Sequence, residues 1–276
     1  MMDAQSNIPD VSRPFLTVSI VVYRSDPAEL AVTFESLNSA LKEIGRNDIE
    51  IFVIQNCTTN NIAEIAEKTL RDVSYSVVKG HGNIGFGRAH NLVLSRTGEF
   101  HLVFNPDIEM EQDAIANSLE FMDVHKTCGL LTPNACWPDG TRQYLCKRYP
   151  ALFDLLLRGF APQTVKNFFS ERLARYEMSD ETGTDVFWNP PIVSGCFMFF
   201  RGKLFRQLGG FDPRYFLYFE DFDLALRASK TSSTAYVPSV RIVHEGGRAA
   251  HKGIKHIRLF ATSAYQFYKL HGLRLF

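Results

Sequence analysis

The sequence predicts an α/β fold, a mostly parallel central sheet flanked by helices, and three observations carry that expectation. Strand-like and helix-like stretches alternate from Leu16 to Val78, the order that generates a parallel sheet with right-handed crossovers. The first strand-like stretch is an unbroken β-branched run, as a strand covered on both faces requires. The 276 residues are 45% hydrophobic and 22% charged, globular values in a chain long enough for one large α/β domain or two small ones.

Leu16 to Tyr23 is that first strand. Ser25-Asp26-Pro27 follows as a turn and helix N-cap, with proline at the first helical position. Ala28 to Ile44 is helical in pattern and Gly45 ends it. Ile49 to Ile54 is a second strand, Gln55 to Asn61 a polar loop, Ile62 to Leu70 a second helix and Ser74 to Val78 a third strand. In such a Rossmann-like sheet ligands bind beyond the carboxyl ends of the strands, which places Tyr23 to Ser25 and Gln55 to Thr58 on one rim.

Lys79 to Asn91 carries four glycines and runs into a helix that reaches about Arg96. Glycines let a backbone approach a phosphate, and a helix N-terminus favours an anion. Gly82 to Gly87 does not match the dinucleotide fingerprint, so NAD is excluded. The loop reads equally well as a tight connection with no ligand. Phe100 to Phe104 is a fourth strand ending in Asn105-Pro106-Asp107. An acid just past a buried strand suits a hard cation on a diphosphate, although all three residues are also turn formers.

Glu111 to His125 is helical in pattern, Gly129 to Thr132 a short strand and Trp137 to Thr141 a hairpin turn. Basic Lys147 and Arg148 precede Pro150 and the apolar Leu152 to Leu157. Ala161 to Asn189 reads as loop and short helix, a candidate mobile segment over the site. Ile192 to Arg201 is a strand interrupted by Gly195-Cys196; Gly202 to Leu208 is a short helix and Gly209 to Asp212 a turn.

Tyr215 to Arg227 organises the rest of the chain. Glu220, Asp221 and Asp223 follow an aromatic run and open an apolar-periodic helix, where backbone N–H groups favour acids. Asp223 can pair with Arg227 at i,i+4, which leaves Glu220 and Asp221 with no partner nearby in sequence. Unpaired acids among aromatics are candidates for a tuned general base; an ordinary acidic first turn is the plainer alternative. Ala235 to Val243 is a strand carrying Pro238, hence an edge or broken strand, with His244 just past it before Glu245-Gly246-Gly247.

His251 to Phe276 is helical. Ile254, Ile257, Ala261, Ala264 and Tyr268 make an apolar stripe, flanked by Lys252, Lys255, Arg258, Lys269 and Arg274. Such a helix either docks on the domain or lies on anionic lipid. The chain thus divides into a disordered tail over 1–14, a domain over 15–250 and a C-terminal helix over 251–276.

Lys+Arg and Asp+Glu both number 30, a balance that argues against a dedicated nucleic-acid binder. The five cysteines show no zinc spacing, and their odd count in a large domain points to reduced thiols in a cytosolic compartment. Met1 to Pro14 has no signal-peptide character. No apolar run approaches the ~20 residues that span a bilayer, so any membrane contact is expected to be peripheral.

Taken together, the ordered pieces resemble glycosyltransferase family 2, in particular its rhamnosyltransferase-like members that build bacterial surface polysaccharides. The matching text is Val18 to Tyr23, Gly82 to Asn91, Asn105-Pro106-Asp107, the Pro138-Asp139-Gly140 turn with Lys147 to Pro150, and Val193 to Cys196. It continues with Gly209-Gly210-Phe211-Asp212, Tyr218 to Asp223, and His244, so that the resemblance spans about Phe15 to Leu270.

The resemblance implies the GT-A fold, a nucleotide-sugar donor and inversion at the anomeric carbon. It implies that Asp107 binds Mg2+ or Mn2+ across the donor diphosphate, with His244 as a further ligand and Asn105 near the ribose or phosphate. Tyr23 would pack near the base, and Asn83, Gly85, Phe86 and Asn91 would line the nucleotide side. Asp221 would be the general base, with Glu220 second choice, and Gly195 and Cys196 would line a sugar pocket. The family commonly has an acid after the second strand; here Gln55 and Asn56 stand there, and an amide still hydrogen-bonds a pyrimidine edge. The implied reaction is transfer of L-rhamnose from dTDP-L-rhamnose to a lipid-linked saccharide at the inner face of the cytoplasmic membrane. The alternatives are a UDP-hexose or UDP-N-acetylhexosamine donor, or a sugar-nucleotide-binding protein without turnover.

Overall fold

A computed structural model describes residues 13–57, 62–246 and 253–276. Most of the expected tail, the loop residues Thr58 to Asn61, and Gly247, His251 and Lys252 lie outside the described residues. In chain order the elements are β1 (Leu16–Val22), α1 (Pro27–Ile44), β2 (Ile49–Gln55), α2 (Ile62–Thr69), β3 (Ser74–Val78), α3 (Phe86–Asn91), β4 (Phe100–Phe104) and β5 (Ile108–Met110). They continue with α4 (Ala114–Val124), β6 (Cys128–Cys136), β7 (Arg142–Gln143), β8 (Cys146–Lys147), α5 (Leu152–Phe160), α6 (Gln163–Phe168), α7 (Ser170–Glu177), β9 (Phe187–Trp188), β10 (Ile192–Val193) and β11 (Phe197–Arg201). Last come α8 (Gly202–Gln207), α9 (Glu220–Ser229), β12 (Ser233–His244) and α10 (Ile254–His271).

The main sheet runs β3-β2-β1-β4-β11-β6-β12-β5. Its first four strands are parallel, as the alternating pattern requires, with Val22 beside Gln55 and Ile20 beside Phe104. Antiparallel β11 is inserted between β4 and β6. β12 runs parallel to β6 and antiparallel to β5. The carboxyl ends of β1, β2 and β4 therefore share one rim, and β11 begins on that rim where β4 ends, Phe197 lying beside Phe104.

Local chemistry explains most boundaries. Asp26 Oδ1 accepts the N–H of Ala28 at 2.8 Å and caps α1, with Pro27 in the first turn, and Gly45 closes the helix at φ 64°. The Trp137 to Thr141 turn closes with the Trp137 N–H on the Thr141 carbonyl at 2.8 Å and Gly140 at φ 81°.

Several expectations change. The helix expected from Glu111 starts at Ala114, because Ile108–Met110 is a short strand and Glu111–Asp113 the turn out of it. The Ala161 to Asn189 region is loop and short helix as expected, α6 and α7, with the two-residue strand β9 in addition. β12 is not an edge strand: it lies between β6 and β5, and the proline is absorbed by a register shift between Val237 and Arg241. α10 docks by only part of the stripe read from the sequence. Ile254, Ile257 and Ala261 are exposed, whereas Ala264 and Tyr268 pack beside buried Ser263 and Phe267 and partly buried Phe260, one step round the helix. Ser263 Oγ donates to the Leu217 carbonyl (2.8 Å), Tyr218 Oη meets His256 Nδ1 (2.8 Å) and His271 Nε2 meets Asp223 Oδ1 (2.8 Å).

β1 alternates. Leu16, Val18, Ile20 and Val22 join the core beneath α1, while Thr17 and Ser19 face the other side. Their hydroxyls are satisfied there by two buried histidines. Thr17 Oγ1 meets His101 Nδ1 at 2.8 Å, and Ser19 Oγ meets His101 Nε2 at 3.1 Å and His90 Nδ1 at 2.7 Å. His101 stacks on Phe205, and His90 packs against Phe86 and Phe211. Burial, with the Arg206 cation nearby, pushes His101 down to about 3. Burial and His101 hold His90 well below 6.5. Both rings are neutral in the fold and protonate on unfolding below 6.5, so their contribution to stability is lost as pH falls from 6.5. The melting temperature is expected to fall with pH in that range, and His101→Asn to flatten the slope while lowering the plateau. An unchanged slope would show that other groups set the acid limit.

Candidate active site

The acidic helix is reached through two adjacent residues in left-handed backbone, Tyr218 (φ 72°) and Phe219 (φ 64°). That conformation is unfavourable for non-glycine residues, so the surroundings must impose it. Phe219 is held among Phe222, Phe260 and Phe267 at ring separations of 5.0–5.2 Å, and Tyr218 by its bond to His256. α10 thus fixes the entry to α9. Asp223 is buried and structural, as its spacing from Arg227 indicates. It accepts from Arg227 Nε at 2.7 Å, and Arg227 also donates to the Leu208 and Gly210 carbonyls.

Glu220 and Asp221 differ in what they meet. Asp221 Oδ2 accepts the Gly195 N–H at 2.9 Å and Oδ1 the Phe222 N–H at 3.0 Å. Glu220 is 4% exposed, and its Oε2 has no hydrogen-bond partner. Burial raises both acids, and the Asp221 charge raises Glu220 further, whereas backbone N–H groups favour ionised Asp221. The pair therefore holds its proton on Glu220 and its charge on Asp221.

Gly195 allows this approach: a Cβ there would lie 3.0 Å from Asp221 Cβ. The next residue, Cys196, faces the other half of the site. Its carbonyl accepts the Asn105 N–H at 2.9 Å, and its sulfur lies against His244. His244 Nε2 is 3.4 Å from Asp107 Oδ1, and Nδ1 is 2.7 Å from Gln143 Oε1, an acceptor that places a proton on Nδ1. Burial lowers the imidazole, but the Cys196 sulfur and the Asp107 carboxylate outweigh it and raise it to about 10; the carboxylate is the permanent charge. Burial raises Asp107, and His244 together with a backbone N–H and Asn105 more than reverses it.

Asp107 Oδ1, His244 Nε2 and Asn105 Oδ1 are buried without a hydrogen-bond partner. A Cβ at Gly246 would fall 2.1 Å from Asp107 Oδ2 and 2.8 Å from His244 Nε2, so only glycine leaves this pair uncovered. These residues fit a divalent cation that takes two protein ligands and completes its shell from phosphate oxygens and water. Among the described residues, no group of three His, Cys, Asp or Glu side chains is arranged to hold a metal alone.

On the nucleotide side Tyr23 is 43% exposed just past β1, with Arg24 5.4 Å from its ring, and Gln55 is half-buried at the end of β2. Asn56 and Asn91 are both engaged with backbone groups of the fold. Asn56 is buried and latches the glycine loop, accepting from the Ile84 N–H (3.1 Å) and donating to Asn83 Oδ1 (3.1 Å) and the Gly85 carbonyl (3.2 Å). Asn91 binds both backbone groups of Phe211, at 2.7 and 2.9 Å. Asn83 also accepts the Gly85 N–H at 3.1 Å. Gly85, at φ 93°, cannot bear a side chain, since a Cβ would lie 2.3 Å from the Phe216 carbonyl that receives the Phe86 N–H. Phe86 is half-buried against His90 and Phe211.

Sequence reasoning misses Gln143, Gly246, Phe267 and His271 as contributors. Gln143 reaches His244 through the pairing of β7 with β6; the hairpin turn at Trp137 to Thr141 signals that pairing, but nothing local reports that β12 brings His244 beside it. Glu220 is uncharged in the fold but ionises above 4.5 when unfolded, so its stabilising contribution is present below 4.5 and lost as pH rises through the raised value. Glu220→Gln is expected to raise the melting temperature at about pH 8 and to change it little at about pH 4. A lower melting temperature at the higher pH would show that Glu220 is ionised in the fold.

Residues 17–209 match the model of glycosyl transferase family 2. The chain is 25% identical over 270 residues to the N-acetylglucosaminyl-diphospho-decaprenol L-rhamnosyltransferase of Mycobacterium tuberculosis, covering 91% of this chain and 83% of that protein. It is 26% identical over 176 residues to the rhamnosyltransferase WbbL of Escherichia coli K12, 59% of this chain and 61% of that protein. Among solved structures, the mannosyltransferase PcManGT of Pyrobaculum calidifontis, in complex with GDP-Man and Mn2+, superposes with a TM-score of 0.58 at 18% identity, over 95% of this chain and 77% of that one. TarS of S. aureus with UDP-GlcNAc gives a TM-score of 0.57 at 14% identity, over 92% and 66% of the two chains. The chain is a glycosyltransferase of family 2 with the GT-A fold.

Proposed function

We propose that this enzyme is inverting and metal-dependent and moves L-rhamnose from dTDP-L-rhamnose to a lipid-linked saccharide in the assembly of a bacterial surface polysaccharide. The observation that carries the mechanism is that Gly195 donates to Asp221 on one side while Cys196 receives the N–H of Asn105, two residues before Asp107, on the other. Both curated relatives are rhamnosyltransferases, which favours the rhamnosyl donor, and the lipid-linked acceptor is favoured by the name of the Mycobacterium tuberculosis relative.

In this reading Asp221, whose ionised form two backbone N–H groups favour, takes the proton of the acceptor hydroxyl as that oxygen attacks the anomeric carbon. The bond from that carbon to the diphosphate breaks on the opposite face, which inverts the centre. Asp107 and His244 would hold Mg2+ or Mn2+, which neutralises charge growing on the departing diphosphate. Glu220 keeps its proton and leaves a single charge at the base. Gly195 and Cys196 leave room for the sugar, Asn105 lies toward the ribose or phosphate, and Tyr23 and Gln55 take the base. The reaction is assigned to the cytoplasmic face of the membrane, where nucleotide sugars are made.

With dTDP-rhamnose and a defined acceptor, Asp221→Asn is expected to lower kcat by a factor of about 10²–10⁴ while preserving the thermal shift produced by dTDP. Near-full turnover in that variant would sink the assignment. Asp107→Asn is expected to abolish the Mn2+-dependent part of the shift; a shift with UDP in place of dTDP would keep the mechanism and change the donor. Gly195→Ala, which crowds Asp221, should lower kcat more than it raises KM.

A further inference from the structure

α10 has a second face that the fold does not use. Opposite Ser263 and Phe267 it presents Ile254 (72% exposed), Ile257 (44%) and Tyr265 (70%). Ile257, Tyr265 and Leu273 line an apolar groove of about 580 Å3 whose far wall is Leu152, Leu155 and Leu156 of α5. Half of Leu156 and of Leu273 is in solvent, and Phe276, which packs on Phe153 of α5, is 83% exposed. This is a contiguous apolar surface of the kind that marks an interaction site.

Its charge is one-sided. Lys255, Arg258 and Lys269 are exposed on α10, Lys269 at the groove itself, and none pairs with an acid among the described residues. Residues 253–276 contain no Asp or Glu at all, in a chain whose acids and bases otherwise balance at 30 each. The one acid of α5, Asp154, is buried and occupied by Arg172. A second copy of the chain would bring like charges together across this face. Apolar side chains ringed by unpaired cations complement a surface that is apolar beneath and anionic above. No helix among the described residues is long and apolar enough to cross a membrane.

We propose that the α5–α10 face is a docking surface for an anionic lipid bilayer, with Ile257, Tyr265 and Leu273 inserted at the acyl boundary and Lys255, Arg258 and Lys269 on the headgroups. Because α10 holds the strained entry to the acidic helix with its other face, the docked enzyme carries its acceptor side at a fixed height above the lipid.

The test is flotation of the full chain with phosphatidylglycerol–phosphatidylcholine vesicles, without donor or acceptor, beside pure phosphatidylcholine. Binding is expected only to the anionic vesicles, weakened by salt and reduced more than about tenfold in a Lys255→Glu, Arg258→Glu, Lys269→Glu variant. A Tyr265→Trp variant is expected to show a blue-shifted emission on vesicle addition. Absence of binding, equal binding to neutral vesicles, or a concentration-dependent dimer that hides the introduced indole without lipid would each overturn the proposal. Turnover on a water-soluble acceptor is read separately, and the triple variant is expected to retain it, so failure here is distinguishable from failure of the transferase reading.

Discussion

The hydrogen bond from the Gly195 N–H to Asp221 is the joint on which the site depends. It ties a helix from late in the chain to the rim where β4 ends and β11 begins. Cys196, the next residue, receives the Asn105 N–H and meets His244, so one dipeptide spaces Asp221 from the Asp107–His244 pair. Such spacing is stiff, because main-chain atoms make the bonds to Asp221 and Asn105. It also explains the need for a minimal side chain, since any Cβ at 195 presses on Asp221.

The strain that aims this carboxylate is held elsewhere. Two adjacent left-handed residues cost roughly 1–2 kcal/mol each. Burial of Phe219 against Phe260 and Phe267 offsets that cost, a fully buried aromatic side chain contributing about 1.5–3 kcal/mol. The last helix therefore helps to shape the candidate site, although it lies beyond the residues matched by the family model. Glu220 adds a second tension, a buried acid without a full set of partners, relieved by retaining its proton.

How much of this is legible in the sequence varies with the range of the interaction. The parallel half of the sheet, the α1 caps and the Asp223–Arg227 pair are local, and their signals read directly. The candidate site residues are named from motifs, and the geometry brings Asp107, His244, Asn105, Cys196, Gly195 and Asp221 together. Asn56 and Asn91 carry the same local signal as ligand-binding amides, and only tertiary contacts show them holding the glycine loop and Phe211. β5 is too short for periodicity to register. The docked face of α10 is only half legible: Ala264 and Tyr268 belong to the expected stripe, but Phe260, Ser263 and Phe267 lie beside it, and burial depends on the partner surface.

The Thr17–His101–Ser19–His90 chain crosses from β1 to β4 and α3 without touching solvent. Each member answers a group that would otherwise be buried unsatisfied, and a lone replacement would strand its neighbour at a cost of about 1–3 kcal/mol. Replacing the whole set with apolar residues of matching shape removes that penalty. The four positions thus form one energetic unit: a change at any one of them costs more than a concerted exchange of all four, and reintroducing one polar member into an all-hydrocarbon set would carry the same penalty.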